Sequence, residues 1–529
     1  VGLLAGLLRP AGRGPSHGPH ALFRLARRLA ATSGAEAAEA GKRAALLQRR
    51  IRDRRSVEEL LRLVEVEVSH FDAVHSTTCL HRLARLLGPR GSQDLAPSSA
   101  FLALLALQRG TVSGLAAGQA QGPGDAQVLA NTAWACATLQ VADGPLLEAL
   151  SAASIRRCGD FIAQNVTNTA WAFATLALGD IPLLAALSAR SISRISDFGG
   201  QDMANTVWAV ATLLVQDSPL LSAISSQAIA KRHEMQAQNL SNTAWAFAKL
   251  QGRDEPLFAA LSAAALARIH QFFPQALANM AWSWATLSCR DSTLLEAISA
   301  QSMRIMSEAN AQNMSNLLWS LATLLYVDNP LLDSISGAAR SRITSFPVQE
   351  LTNSVWSIAR LVYEDRPLLE AISSAALARI HTYRARDLAN TLWSFARLKG
   401  ADPTLLDALS AAALKRIRDC LPQELANMAW AMATLQVADE TLLAAISEQA
   451  INKIQDFSVQ HLANTAWAFA SLGFLDRPLL AAISAAAIAK ISSFEAQALT
   501  NTAWAFATLG VRDEPLLAAI AGQALRIIH

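Results

Sequence analysis

Polar side chains that can form hydrogen bonds recur at fixed distances from a series of tryptophans. Six residues before each tryptophan the residue type varies, and the polar members are Asn165, Asp202, Asn239, Asn313, Glu350, Asp387, Glu424 and His461. Two residues before it, hydroxyl side chains predominate, among them Thr169, Thr206, Thr243, Ser354, Thr391 and Thr465. Positions four apart share one face of a helix. This face could bind a different chemical group in each copy, although an ordinary solvated face would vary in the same way.

A row of cations follows the same tryptophans at a distance of 23 residues. Its members are Arg157, Arg194, Lys231, Arg268, Arg342, Arg379, Arg416, Lys453 and Lys490. One cation per copy could follow the phosphates of a nucleic acid. The same residues could instead interact with the C-termini of helices, where the helix dipole favours positive charge. The sequence leaves both interpretations open.

The tryptophans that define these distances are separated by steps of 37 residues. The ladder consists of Trp134, Trp171, Trp208, Trp245, Trp282, Trp319, Trp356, Trp393, Trp430, Trp467 and Trp504. Trp284 is the one tryptophan outside it. A fixed period of this length is typical of helical repeat arrays.

Two further residue types accompany every ladder tryptophan without variation. Asparagine stands three residues before it and aspartate nine residues after it, as in the sets Asn168, Trp171, Asp180 and Asn316, Trp319, Asp328. A residue that is identical in every copy cannot distinguish one bound group from another. We therefore predict structural roles: the tryptophan as a buried spacer, the asparagine bonded to a neighbouring turn, and the aspartate as a helix N-cap.

Each copy contains the pattern of two helices joined by a short turn. In residues 237–272 the apolar period predicts a first helix over 238–250 and a second over 256–269. Asp254 and Pro256 between them suit a helix start. Two such helices cannot bury their apolar faces alone, so the copies must stack. The predicted fold is all-α: a right-handed α-solenoid of about eleven 37-residue helix–turn–helix repeats over residues 124–529.

Composition narrows the class of protein. Hydrophobic residues make up 52% of the chain and charged residues 16%. The five cysteines show no paired spacing, which indicates a reducing compartment and argues against a zinc site. The sequence has no uncharged apolar run of about 18 residues, no glycine-rich phosphate loop and no metal-binding histidine motif. We expect no enzyme, no cofactor, no metal and no membrane-spanning helix.

Residues 1–55 differ from the rest of the chain in charge. They hold twelve Lys and Arg against three acidic residues, a surplus of +9, whereas the remainder is net −6. The stretch before Glu36 is rich in arginine and free of acids, which is typical of a mitochondrial or chloroplast transit peptide. We expect residues 1–55 to form a leader and linker, and the protein to function in an organelle matrix. A disordered basic tail is the alternative.

The segments PQELANMAWAMATL (422–435) and ARDLANTLWSFARLKG (385–400) resemble the octotricopeptide repeat. This family comprises organelle RNA-binding α-solenoids related to the arrays that precede RAP domains. The resemblance covers about residues 124–529. Residues 56–123 look like a degenerate capping region, in which His81 aligns with the tryptophans and Thr78 with the asparagines. The period is one residue shorter than is usual in the family, and no RAP-like segment follows, so we expect a truncated C-terminal end.

The resemblance implies sequence-specific binding of single-stranded organelle RNA at about one base per repeat. It also implies a role in RNA processing, stability or translation, with other RNA-processing proteins or ribosome components as further partners of a monomeric chain. On this hypothesis the variable polar residues contact bases and the cation row contacts phosphates. A scaffold for protein–protein interaction is the alternative, and the net acidic array suits it better.

Overall fold

The computed structural model describes residues 39, 41–88, 95, 97–119, 122, 124–400 and 402–528. These residues are predominantly helical, and no strand occurs among them. Consecutive helices pack on their neighbours along the chain. The predicted all-α solenoid is therefore confirmed. Residues 1–38 and 40 of the predicted leader lie outside the described residues, whereas residues 41–53 are helical.

Each repeat begins with the helix that carries the ladder tryptophan, here called helix A. The A helices are Asp125–Thr138, Ala163–Thr175, Gly200–Thr212, Ala237–Lys249, Pro274–Thr286, Ala311–Leu324, Val348–Leu361, Ala385–Leu398, Pro422–Leu435, Val459–Ser471 and Ala496–Thr508. A repeat is named below by its ladder tryptophan, so that Ala237–Lys249 is helix A of the Trp245 repeat.

The second helix of each repeat, helix B, begins directly after the invariant aspartate. The B helices are Gly144–Arg157, Ile181–Ser193, Ser218–Lys231, Glu255–Leu266, Ser292–Arg304, Asn329–Arg340, Arg366–Leu377, Pro403–Arg416, Glu440–Asn452, Arg477–Ala489 and Glu514–Ile528. Asp180 and Asp328 accept hydrogen bonds from Leu183 N and Leu331 N, both at 3.0 Å. The aspartate thus satisfies one of the N–H groups that a helix start leaves unpaired. A short 3-10 turn, such as Ile269–Gln271, follows most B helices.

The chain divides into two compact units, Val1–Arg194 and Ile195–His529. Within each unit the A helices of consecutive repeats pack side by side, and the B helices do the same. Small residues permit the close packing of the A helices: the position three after each tryptophan is always alanine, as in Ala248. The position one residue after each tryptophan is alanine or serine, as in Ala246. Both of these alanines are fully buried.

Phenylalanine, and not the ladder tryptophan, fills most of the large buried positions. One buried series lies ten residues before the tryptophans: Phe161, Phe198, Phe272, Phe346, Tyr383, Phe457 and Phe494. A second lies two residues after them: Phe173, Phe247, Trp284, Phe395, Phe469 and Phe506. The ladder tryptophans are half-buried, and Trp504 is 45% exposed. The expectation that they are buried spacers is wrong, because the alanines bring the A-helix backbones together and leave the indole at the rim of the contact.

An N-terminal group of helices precedes the repeats: Val57–Glu67, Ala73–Leu87 and Ser99–Ala116. The buried Gln108 amide links them to the first repeat, because its Nε2 donates to Thr77 Oγ1 at 3.0 Å and to Thr132 Oγ1 at 2.6 Å. The His81 ring lies 4.7 Å from the Trp134 ring, centroid to centroid. Burial lowers the pKa of His81, so its ring is neutral near pH 7. His81 therefore extends the aromatic series by one place.

One described helix, Ser99–Ala116, is long and apolar enough to cross a membrane by length and composition alone. Buried core helices pass the same test. This helix packs against Ala73–Leu87 and Gly144–Arg157, and Gln108 lies fully buried near its middle. Its apolar residues thus have protein neighbours, and its length alone is weak evidence for a membrane span.

Asp254 joins two repeats, and we expect its loss to be costly. Its Oδ1 accepts from Leu257 N at 3.0 Å, and its Oδ2 accepts from Ser225 Oγ of the preceding repeat at 2.6 Å. Asp254→Ala removes an N-cap and a charge-assisted hydrogen bond, so the free energy of unfolding should fall by about 2–3 kcal/mol. Chemical denaturation of Asp254→Ala and Asp254→Asn tests this. The asparagine still caps the helix and should lose less; equal, small losses in both variants would contradict the role.

Candidate functional site

Every helix A carries one polar face at the protein surface. Four positions share this face, at seven and three residues before the tryptophan, at the tryptophan, and four residues after it. In the Trp245 repeat they are Gln238, Asn242, Trp245 and Lys249. We call this set of four positions the outer stripe. Its residue types are nearly constant, which separates it from a generic solvated face.

The first position of the outer stripe is exposed in every repeat. Its residues are Gln127, Gln164, Gln201, Gln238, Gln275, Gln312, Gln349, Arg386, Gln423, Gln460 and Gln497. The second position is a half-buried asparagine throughout: Asn131, Asn168, Asn205, Asn242, Asn279, Asn316, Asn353, Asn390, Asn427, Asn464 and Asn501. The asparagines were predicted to bond to a neighbouring turn, and the glutamines were not predicted as site residues. An amide three residues and another seven residues before nearly every ladder tryptophan was the signal for both.

The amide side chains of the outer stripe do not bond to other parts of the protein within the described residues. Between described residues, none of these asparagine or glutamine side chains forms a hydrogen bond, so the predicted bond to a neighbouring turn is not formed. Each amide offers two N–H donors and a carbonyl acceptor. The surface therefore presents a regular row of unused donors and acceptors.

The ladder tryptophans form rows of neighbouring rings. In the first unit the Trp134 and Trp171 centroids lie 6.5 Å apart. In the second, Trp282 lies 6.3 Å from Trp245 and 6.2 Å from Trp319. Trp393 and Trp430 lie 6.1 Å apart. These separations are typical of interacting aromatic pairs, and the half-buried rings keep part of their surface open to solvent.

Three repeats place a cation over the tryptophan from the fourth stripe position. The Lys249 Nζ lies 4.7 Å from the Trp245 centroid, a cation–π distance. Burial lowers the pKa of Lys249. Arg360 and Arg397 lie 5.5 and 5.6 Å from their own tryptophans. Their Nε atoms donate to backbone carbonyls of the preceding repeat, at 3.1 and 2.9 Å, which holds each guanidinium on the stripe.

Grooves run between the stripes of adjacent A helices. A section of about 620 Å³ is lined by Trp319, Asn353 and Asn390, among others. Further sections of about 220 and 470 Å³ are lined by Asn242 with Asn279 and by Asn464 with Asn501. In the first unit a section of about 200 Å³ is lined by Thr78 and Asn131. Stripe amides therefore border each of these sections.

The variable residues six before the tryptophans belong to the helix starts. Asn239 Oδ1 accepts from Gln236 N at 3.0 Å, and Glu424 Oε2 accepts from Leu421 N at 2.6 Å. The same reach back to the N-cap backbone is made by Asn165, Asp202, Asn313, Asp387 and His461. Glu350 makes no such bond among the described residues, and its Oε2 is buried. Seven of the eight predicted base-reading residues at this position thus complete their own helix N-terminus.

The hydroxyl residues two before the tryptophans lie inside the protein. Thr169, Thr206, Thr243, Ser354, Thr391 and Thr465 are at most 2% exposed. At this burial a ligand on the surface cannot reach the hydroxyls unless packed helices separate. These residues are buried because they lie on the face of helix A that packs against the neighbouring helix A, as the small residues after the tryptophan do.

Six members of the cation row connect a helix B to the turn that precedes helix A of the same repeat. Lys231 Nζ donates to Ser196 O and Phe198 O at 2.8 and 2.9 Å. Arg268 donates to Met235 O at 2.7 Å. Carbonyls at the equivalent turns accept from Arg342, Arg379, Lys453 and Lys490. Arg157 pairs instead with Asp125, and Arg194 and Arg416 occupy the remaining places of the row.

Metal-ligating and thiol groups are the remaining candidates for chemistry among the described residues. No group of three or more metal-ligating side chains occurs among them. Burial raises the pKa of the Cys136 thiol to about 12, so this thiol is protonated and a poor nucleophile. The expectation that the protein is not an enzyme stays a prediction.

Comparison with known proteins gives a family for the array. Residues 157–399 and 368–514 match the model of a family described as RNA-editing substrate-binding complex 6 protein. Together they span residues 157–514, about two thirds of the chain. The chain belongs to this family. The match to the RNA-editing substrate-binding complex 6 family confirms the coarser part of the predicted resemblance, a helical-repeat family whose description refers to RNA. The octotricopeptide assignment itself stays a prediction.

Comparisons with curated proteins and with solved structures do not extend this family assignment. No curated protein matches the sequence. Among solved structures, one match is titled "Homology model of the full-length AP-3 complex in an intermediate open conformation". It covers 92% of this chain and 93% of the other at 10% identity, with a TM-score of 0.29, which is too low to establish a shared fold.

Proposed function

We propose that this protein binds single-stranded RNA along the outer stripe, as a component of an RNA-editing or related RNA-maturation assembly in an organelle matrix. The family description names an RNA-editing substrate-binding complex. It favours a mitochondrial type of organelle over a chloroplast. Other proteins of such an assembly are proposed as further partners.

The observation that carries the proposal is a set of two amides and a half-exposed tryptophan, which recurs in ten of the eleven repeats; the amides have no hydrogen-bond partner among the described residues. Aromatic rings bind unpaired bases by stacking, whichever base is present. Amides hydrogen-bond to base edges, to ribose hydroxyls and to phosphates. A polymer whose units recur along the array fits a surface whose units also recur. A protein ligand offers no such regular partner for ten equal amide pairs.

The stripe implies how sequence preference would arise. Its constant residues bind features that all nucleotides share, so they supply affinity and a register of about one base per repeat. Discrimination requires variable residues beside the groove. Phe273, Arg384 and Glu495 line it and stand at one variable position, nine before the tryptophan. Sequence-specific reading is therefore proposed through this position, and the variable residues six before the tryptophan contribute by shaping the same helix start.

The proposal predicts RNA binding with a shallow dependence on salt. Each phosphate neutralised on a single strand contributes about −0.7 to the slope of log affinity against log salt. The described stripe carries Lys249, Arg360, Arg386 and Arg397 as its cations, so the slope should be no steeper than about −3. Fluorescence anisotropy with an unstructured RNA of about 15 nucleotides measures both the affinity and the slope. Double-stranded RNA of the same sequence should bind much more weakly, because its bases are not free to stack.

Arg268→Gln provides the control, because its guanidinium bonds to backbone carbonyls outside the stripe. It should lower stability and leave the salt slope unchanged. Equal binding of single-stranded and double-stranded RNA would contradict stacking on the stripe. No binding of RNA at micromolar protein would overturn the proposed function and favour the protein scaffold.

A further inference from the structure

Positive charge on the outer stripe is concentrated in two consecutive repeats. Arg360 occupies the fourth stripe position of the Trp356 repeat. Arg386 and Arg397 occupy the first and fourth stripe positions of the Trp393 repeat. Arg384 lies two residues before Arg386, at the edge of the same groove. All four arginines are exposed, whereas the other described stripes carry one cation, Lys249.

Arg386 is the single departure from glutamine at the first stripe position. The substitution changes a neutral donor and acceptor into a fixed cation with five N–H donors. Among the described residues, neither Arg386 nor Arg384 forms a side-chain hydrogen bond or an ion pair. Two guanidinium groups thus face the groove with their donors unused.

The groove section beside these arginines is the one of about 620 Å³. It brings together three kinds of group: the Arg384 and Arg386 guanidiniums, the Asn353 amide and the Trp319 ring. Asp387 also lines it, but its Oδ2 accepts from Arg384 N at 3.0 Å and completes the helix start. Glu350, six before Trp356, is the nearest acid on the adjacent helix A. Glu350 does not line the section, so Arg384 and Arg386 against Asp387 give its lining a formal charge of +1.

We propose that this section is an anchoring subsite for a phosphate group of the bound RNA, which sets the register of the strand on the array. The inference rests on the proposed function. Guanidinium groups bind phosphate oxygens through paired N–H donors and keep their charge at any physiological pH. The remaining stripes bind by stacking and amide contacts, which are similar in each repeat and do not favour one register. Two arginines that bind a phosphate at one place on the array make one register of the RNA more favourable than the others.

Arg386→Gln, Arg384→Gln and the double variant test the anchor. Arg386→Gln installs the residue that the other ten repeats carry, so the fold should tolerate it. Arg366→Gln is the matched control, because its side chain is 90% exposed on a helix B and its ion pair among the described residues is with Glu370. Anisotropy titrations should show about a tenfold loss of affinity in the double variant and a salt slope smaller by about 0.7. The control should change affinity less than about twofold.

Crosslinking adds a readout that a general loss of charge does not produce. Photocrosslinking to one RNA, followed by mapping of the attached nucleotides, should give one dominant register for the wild type and for Arg366→Gln. The double variant should give several registers. A double variant that matches Arg366→Gln in affinity, slope and register, beside a wild type that binds RNA, overturns the anchor alone. A wild type that does not bind RNA overturns the proposed function and the anchor together.

Discussion

Replacing Asn279, Asn316 and Asn353 together with alanine is expected to lower the affinity for single-stranded RNA about 100-fold. The three amides lie on consecutive stripes, and none has a hydrogen-bond partner among the described residues. A hydrogen bond contributes about 1 kcal/mol net, and a loss of about 3 kcal/mol corresponds to about 100-fold in the dissociation constant. Anisotropy titration of the full chain measures this loss.

The same triple variant should keep its stability. No intramolecular hydrogen bond is lost, and alanine has a higher helix propensity than asparagine. The free energy of unfolding is therefore expected to stay within about 1 kcal/mol of wild type, or to rise. Circular dichroism with chemical denaturation measures it.

Asn310 and Asn313 supply a control within the same region of the chain. Each accepts from the backbone N–H of the other, at 2.9 and 3.2 Å, and together they complete the start of a helix A. Asn310→Ala should cost about 0.5–2 kcal/mol of stability and change RNA affinity far less than the triple variant does. A triple variant with unchanged affinity, or one that unfolds, would contradict the role assigned to the stripe asparagines.

The helices themselves could be predicted because their signals are local. Asp254 and Pro256 mark the start of a helix B in the sequence, and helix B of that repeat begins at Glu255. The repeat period then determines how helices stack, because each pair can bury its apolar faces only on its neighbours. Fold class therefore followed from spacing and composition, without any information on long-range contacts.

The exposed face of helix A could not be predicted correctly while constancy was equated with burial. A residue is constant wherever the same requirement recurs, and a repeated ligand imposes such a requirement as firmly as a repeated core does. The sequence did indicate which face of helix A is buried and which is exposed. Alanine or serine one residue after each tryptophan and alanine three after, as at Ala246 and Ala248, are the positions of close helix packing. The opposite face, with Gln238 and Asn242, must then lie outside.

Side-chain direction accounts for the remaining differences. Asn239 was expected to project from the polar face, yet its side chain turns back to Gln236 N. A sequence shows which residues can cap a helix but not whether a ligand or the backbone receives the hydrogen bond. Likewise Lys231 reaches two carbonyls that lie more than thirty residues earlier in the chain, a contact that depends on the stacking of complete repeats.

Trp282 and Trp284 lie on the same helix A, and their replacement with alanine is expected to affect stability and RNA affinity differently. Trp284 is 3% exposed, and the centroid of its ring lies 4.7 Å from that of Phe258. Its loss leaves a cavity, so Trp284→Ala should lower the free energy of unfolding by about 3–5 kcal/mol. The destabilisation should concentrate in the adjoining repeats, because each repeat contacts only its neighbours. Chemical denaturation with hydrogen exchange measures its size and extent.

Trp282 instead lies half-buried on the outer stripe, between the rings of Trp245 and Trp319. Trp282→Ala should cost about half as much stability, roughly 1.5–2.5 kcal/mol. It also removes a stacking surface worth about 1–3 kcal/mol per base, so RNA affinity should fall by about 5-fold to 150-fold. Trp282→Phe keeps a ring and should restore part of that affinity. Trp284→Ala, assayed at a temperature where it is folded, should bind RNA nearly as wild type does. If both alanine variants lost RNA affinity in proportion to stability, the tryptophan row would be part of the scaffold, and the RNA contact would have to lie on another face.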